Sequence, residues 1–131
     1  MQDKFINEVV ELHQFFESWL SGGIAQTQPL FTKFKNALAE DFKMIEPSGK
    51  VLQKNELLEA FWHAHGAMPA PFSIKVKQAK ARVLDKGLAL VVYEEWQTGV
   101  DETARVSSAL LRETDKGMQW LHVHETWLTK E

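Results

Sequence analysis

Phe72-Ser73-Ile74-Lys75-Val76-Lys77-Gln78-Ala79-Lys80-Ala81-Arg82-Val83 is where the chain changes its period. Phe72, Ile74 and Val76 alternate with Ser73, Lys75 and Lys77, the two-residue period of a strand with one buried face. The alternation then slips to Ala79, Ala81 and Val83, which predicts a bulge near Gln78. Downstream, Asp85-Lys86-Gly87 is a turn signal. Leu88 to Trp96 begins apolar on both sides, as expected of a central strand covered on both faces. Thr98 to Asp101 turns the chain again, and Thr114-Asp115-Lys116-Gly117 makes the last turn. The expected strands are 72–84, 88–98, 103–113 and 118–129, a four-strand antiparallel meander.

Upstream of Met68-Pro69-Ala70-Pro71 the period is helical. Phe5, Val9, Leu12, Phe16 and Trp19 recur every three or four residues, with Asp3 placed to cap the helix and Gly22-Gly23 to stop it. Pro29 opens a second helix with Leu30, Phe31, Phe34 and Leu38 on its apolar stripe. Phe42 and Met44 mark a short strand ending at Pro47 and Gly49. Leu57, Leu58, Phe61 and Trp62 form the buried side of a third helix. The helices are expected at 3–21, 29–39 and 54–65. Helices followed by a meander make an α+β order. A curved, mostly antiparallel sheet of four to five strands, with three N-terminal helices packed across one face, makes a cone with a pocket at its open end.

Composition narrows the function classes. The 131 residues are expected to form a single domain, 1–131, and 14 aromatics, five of them Trp, supply buried area. The net charge is -3 and the lysines are dispersed, so no basic face for nucleic acid is expected. With no cysteine, disulfides and thiolate chemistry are excluded. No segment has the unbroken apolar run of a signal peptide or a membrane span, and the expected location is cytoplasmic, without a membrane partner. The last three strands carry apolar residues on both faces while the helices cover one. A homodimer follows as the expectation.

Several side chains carry candidate chemistry. A turn centred between Gly99 and Val100 sets Glu94 opposite Arg105 and Trp96 opposite Thr103. An arginine on the concave face grips a carboxylate at two points, so a small, anionic organic ligand is expected. On the last strand Trp120, His122, His124 and Thr126 share one face, and Leu121, Val123, Glu125 and Trp127 share the other. An even final turn brings Arg105 to His124, and an odd one brings it to Glu125. Trp19 or Trp62 is expected above Arg105. His122 and His124 lack a converging third ligand, and His63 and His65 diverge on their helix, so neither a metal nor a cofactor is expected.

The run Glu102 to Arg112, followed by Lys116 to Trp127 with Gly117, Trp120, Val123 and His124, resembles the closing hairpin of the nuclear transport factor 2-like superfamily. Glu46-Pro47-Ser48-Gly49 after a short strand matches in position. The resemblance implies a cystatin-like α+β roll and relatives among SnoaL-like cyclases, ketosteroid isomerase and the association domain of calcium/calmodulin-dependent protein kinase. It differs from the association domain at Thr126, where a second His is usual, and from the isomerases at Glu46, where Asp is usual. Helix one also lacks the isomerases' Tyr. By this resemblance the pocket lies on the Arg105 and Trp127 side, and Glu46 or Glu125 is the candidate catalytic base. The candidate ligand-binding residues are Arg105, Glu94, Trp96, Trp127, His124, Trp19 and Trp62. The expected function is small-molecule binding, with isomerase, cyclase or dehydratase chemistry. The alternative is a non-catalytic oligomerisation or ligand-sensing module.

Overall fold

A computed structural model describes residues 3–99 and 101–128. The elements in chain order are α1 (Asp3–Ser21), α2 (Gln28–Ala37), β1 (Leu38–Ile45), β2 (Val51–Gln53), α3 (Lys54–His63), β3 (Ser73–Asp85), β4 (Leu88–Thr98), β5 (Thr103–Thr114) and β6 (Gly117–Trp127). The fold is α+β, as expected. The sheet has six strands in the order β2-β1-β6-β5-β4-β3, and every pairing is antiparallel except the parallel pair of β1 with β6. The end of the last expected strand at Thr129, and Val100 in the turn before β5, lie outside the described residues.

Local chemistry sets the element boundaries. Gly22 ends α1 at φ 77, a left-handed conformation that costs glycine little, and its N–H donates to the Trp19 carbonyl. Thr27 caps α2 by accepting from the Leu30 N–H. That helix stops at Ala37, two residues before the expected end, and Leu38 leads directly into β1. Glu56 accepts from the backbone N–H of Gln53 at 2.8 Å and fixes the start of α3. Gln78 adopts φ 56 where the β3–β4 pairing shifts, so the expected bulge is present.

The helices cover one face of the sheet. Phe5, Val9, Leu12 and Trp19 of α1 pack with Phe31 and Phe34 of α2 against Ala89, Val91, Ala109, Leu111, Trp120 and Val123. β4 lies inside the sheet, but the expectation that both its faces are covered does not hold within one chain. Its Val92, on the outer face, is 38% exposed.

Candidate functional site

The inward face of the sheet is chosen by β4. Ala89, Val91, Tyr93 and Glu95 alternate inward and are buried, so the apolar series ends in a carboxylate. The turn into β5 sets what faces it. Gln97 pairs with Thr103 and Glu95 with Arg105, so five residues rather than four separate the last paired positions. This slip of one residue overturns the expected Glu94–Arg105 pairing. It places Glu94 and Trp96 on the outer face, where the Trp96 indole N–H donates to Glu94 Oε1 at 2.9 Å and Lys77 sits over the Trp96 ring. Gly99 makes the turn possible: a Cβ there would lie 3.0 Å from the Phe72 Cα.

A second irregularity decides the last strand. Leu111 pairs with Trp120, but the next position, Leu110, pairs with His122, leaving Leu121 as an extra residue. Trp120 therefore faces inward together with Val123 and Glu125, not with the histidines as expected. The turn itself is the even one, yet the bulge reverses the faces and brings Glu125 to Arg105. His124 is exposed on the outer face opposite Ser108, so its expected place beside Arg105 is also corrected.

These inward residues line a cavity of about 300 Å3 between the sheet and the helices. Phe16, Phe34, Phe42 and Phe61 supply much of its apolar wall, and Glu46, Tyr93, Glu95, Gln97, Arg105 and Glu125 supply its polar wall together with His13. Of the residues singled out from sequence, Arg105, Glu46 and Glu125 line the cavity. Trp19 and Trp62 do not. Trp19 is fully buried, its ring centroid 5.6 Å from that of Trp62 and 5.1 Å from that of Phe31, and its N–H donates to the Phe61 carbonyl. Phe16 and Phe61 stand in the wall where those tryptophans were expected. Trp127 is 51% exposed and stacks beneath the Arg105 guanidinium, 4.7 Å from it.

His13 and Glu95 were not foreseen, and they anchor the polar wall. The His13 ring is 3% exposed, with Nδ1 donating to the Val9 carbonyl at 2.8 Å and Nε2 lying 3.1 Å from Glu95 Oε1. Gln97 donates to the other oxygen of Glu95 at 2.7 Å. Burial raises the Glu95 carboxyl, but the hydrogen bond and charge of His13, the Gln97 bond and the Arg105 charge outweigh it, holding the group at about 2. Glu95 is thus an anion, and each ring nitrogen of His13 has an oxygen within hydrogen-bond distance. Position gave the available signal: His13 falls four residues after Val9 on the buried stripe, and Glu95 two after Tyr93.

Glu125 behaves in the opposite way. Arg105 Nη1 donates to its Oε1 at 3.1 Å and Ser107 Oγ lies 3.5 Å from its Oε2. Burial and the nearby Glu95 charge raise its carboxyl above the usual range, and the Arg105 charge and hydrogen bond only partly offset them. Burial, with the Glu95 and Glu125 charges, also pushes the Tyr93 phenol well up, so it stays neutral. Arg105 Nε is buried and finds no acceptor among the described residues. The cavity wall therefore combines the Arg105 guanidinium, a fixed anion in Glu95, a second carboxyl able to exchange a proton, and a neutral phenol. His122 and His124 lie on the outer sheet face. Among the described residues, no three His, Asp or Glu side chains converge as metal ligands.

A family model, sucrose-6-phosphate phosphohydrolase C-terminal, matches residues 6–129. The chain belongs to this family. Sucrose-phosphatase 2 of Nicotiana tabacum is 29% identical over 127 residues, which is 92% of this chain and 30% of the relative. The chain thus spans less than a third of that relative's length. Among solved structures, an NTF-2-like protein of unknown function from Pseudomonas aeruginosa superposes with a TM-score of 0.88 at 26% identity, covering 96% of this chain and 99% of that one. The hub homology domain of a Chlamydomonas reinhardtii calmodulin-dependent kinase gives 0.68 at 12% identity, covering 92% and 95%, and shows the fold alone. The family therefore has the nuclear transport factor 2-like fold that the closing hairpin resembled. No described helix is long and apolar enough to cross a membrane.

Proposed function

We propose that the chain is a small-molecule-binding domain whose cavity takes a compact organic acid, with the carboxylate at Arg105 and the apolar body against Phe16, Phe34 and Phe61. The observation that carries this reading is the Arg105 guanidinium in the cavity wall, whose buried Nε finds no acceptor among the described residues. A buried donor left unmade costs about 1–3 kcal/mol, and a ligand oxygen would satisfy it. The sugar phosphate in the names of the relatives suits the cavity less well. A disaccharide brings many hydroxyl groups, and a wall made largely of Phe and Leu leaves most of them unbonded. The raised Glu125 carboxyl adds the capacity to move a proton on a bound acid, as an isomerase or dehydratase would require. Thermal shift with benzoate, phenylacetate and the neutral benzyl alcohol tests the binding. At a hundredfold excess over Kd an acid stabilises the fold by about 2.7 kcal/mol, and benzyl alcohol does little. Equal responses to acid and alcohol, or the same acid response in Arg105→Lys, would refute the assignment.

The oligomerisation reading is favoured by a separate feature. Leu90, Val92, Trp96, Val106 and Leu110 lie on the outer face of the sheet, and no helix covers them. We propose that a second copy covers this face. Sedimentation should then report about 30 kDa, twice the 15.0 kDa of one chain, and 15 kDa at micromolar concentration would remove the dimer.

A further inference from the structure

The cavity wall holds four buried or half-buried groups in two touching pairs. Arg105 Nη1 lies 3.1 Å from Glu125 Oε1, and His13 Nε2 lies 3.1 Å from Glu95 Oε1. An acid that enters as its anion disturbs the first pair. It competes with Glu125 for the Arg105 guanidinium, and Glu125 is only 4% exposed, so little water is at hand to solvate it once displaced. A displaced carboxylate would then be a second uncompensated anion beside the ligand, in a setting where an unpaired charge costs several kcal/mol.

Resting on the reading of the cavity as an acid-binding site, we infer that binding is coupled to the uptake of one proton: the ligand carboxylate takes Arg105, and Glu125 becomes a neutral acid. The balance closes. The one negative charge that the ligand carries in is matched by the one solvent proton that Glu125 takes up, so the net charge of the site is unchanged. The neutral carboxyl can donate through its O–H to the ligand carboxylate while still accepting from Ser107. Two carboxyl groups sharing one proton is the stable arrangement when like charges are forced together.

Every element around Glu125 bears on this assignment. α1 contributes His13, which is committed to Val9 and Glu95. β4 contributes Tyr93, a neutral phenol, and Glu95, held as an anion at about 2. β5 contributes Arg105 and Ser107. The end of β1 leads into Glu46, a further carboxylate in the cavity wall. α3 contributes Leu57, Ala60 and Phe61 to the wall, and Ala64 follows directly after it; none of them is titratable. Glu125 already sits above the usual carboxyl range with Arg105 beside it. Losing that partner to an anion raises it further, so the proton arrives as the ligand binds.

Isothermal calorimetry with benzoate, repeated in buffers of different ionisation enthalpy, counts the protons. At pH above the raised free value of Glu125 the wild type should take up close to one proton at its maximum, with affinity falling about tenfold per pH unit where the uptake is complete. Glu125→Gln should bind benzoate with no uptake and with an affinity flat in pH. Binding without proton uptake in the wild type would overturn the coupling while leaving the acid-binding site intact. Uptake that persists in Glu125→Gln, or that disappears only in Glu46→Gln, would overturn the assignment to Glu125. No binding of benzoate or phenylacetate at any pH would overturn the site and the coupling together.

Discussion

Two clusters inside this fold are equally buried and built from opposite materials. Trp19, Phe31 and Trp62 form one, where aromatic rings pack against each other and the one indole N–H of Trp19 finds a carbonyl. His13, Glu95, Arg105 and Glu125 form the other, with Glu95 only 6% exposed. The first is the inexpensive way to fill a small α+β roll, because apolar burial needs no partners. The second desolvates four charges, and such networks are often no more stable than the apolar side chains that could replace them. The aromatic cluster holds the cone together, and the charged one lines the proposed ligand site.

The sharpest way to break this contrast is to strand a charge. His13→Ala or Glu95→Ala should each destabilise by about 3–5 kcal/mol, because each leaves a buried partner uncompensated. Trp19→Ala should cost a similar ~3–5 kcal/mol through its cavity. The double variant His13→Leu with Glu95→Leu separates the cases. Chemical denaturation should show most of the lost stability restored, while benzoate binding stays impaired. A double variant as unstable as the singles would mean that the charges are structural.

Acid should act on the two carboxylates in opposite senses. Glu95 sits at about 2 in the fold against an ordinary 4.5, so the unfolded chain binds its proton first as pH falls. Its stabilisation is complete above about pH 4.5 and is lost as pH falls toward 2. Glu125 is raised in the fold, so it weakens the fold at high pH and the loss is relieved as pH falls through its folded value toward 4.5. Glu125→Gln should therefore abolish the gain in stability as pH falls through the folded value of Glu125 and leave the acid limb below pH 4.5 unchanged. Melting curves across pH check both limbs, and a variant that flattens the acid limb would reassign it to Glu125.

These two clusters were unequally legible in the sequence. The helical stripe Phe5 to Trp19 and the alternation from Phe72 onward state their periods openly, so the α+β order follows from them. The sixth strand, Val51–Gln53, is three residues long and carries no period to read. The charged cluster was legible only in part. Arg105 and Glu125 stand out as charged groups on apolar strands, but their neighbours depend on parity. One more residue in the turn after Thr98 exchanged Glu94 for Glu95, and one extra residue at Leu121 turned Trp120 inward and His124 outward. Turn length and bulges are set by tertiary closure of the sheet, which leaves a faint mark in composition. His13 was hidden for another reason: on a stripe of Phe, Leu and Trp, one imidazole reads as one more core residue.

Substitution on the outer face supplies the smallest effect and the control for the others. Glu94→Ala removes the acceptor of the half-buried Trp96 N–H, so it should change stability by no more than about 1 kcal/mol and leave benzoate binding as in the wild type. A binding loss there equal to that of Arg105→Lys would mean that the outer face carries the site.

A crystal structure of the protein grown with benzoate tests the central claim most directly. The account predicts benzoate inside the cavity, its ring against Phe16 and Phe61 and a carboxylate oxygen about 3 Å from Arg105 Nε, with Glu125 moved off the guanidinium. Benzoate absent from the cavity at saturating concentration, or bound there with its carboxylate turned away from Arg105 and the Arg105–Glu125 pair unbroken, would contradict it.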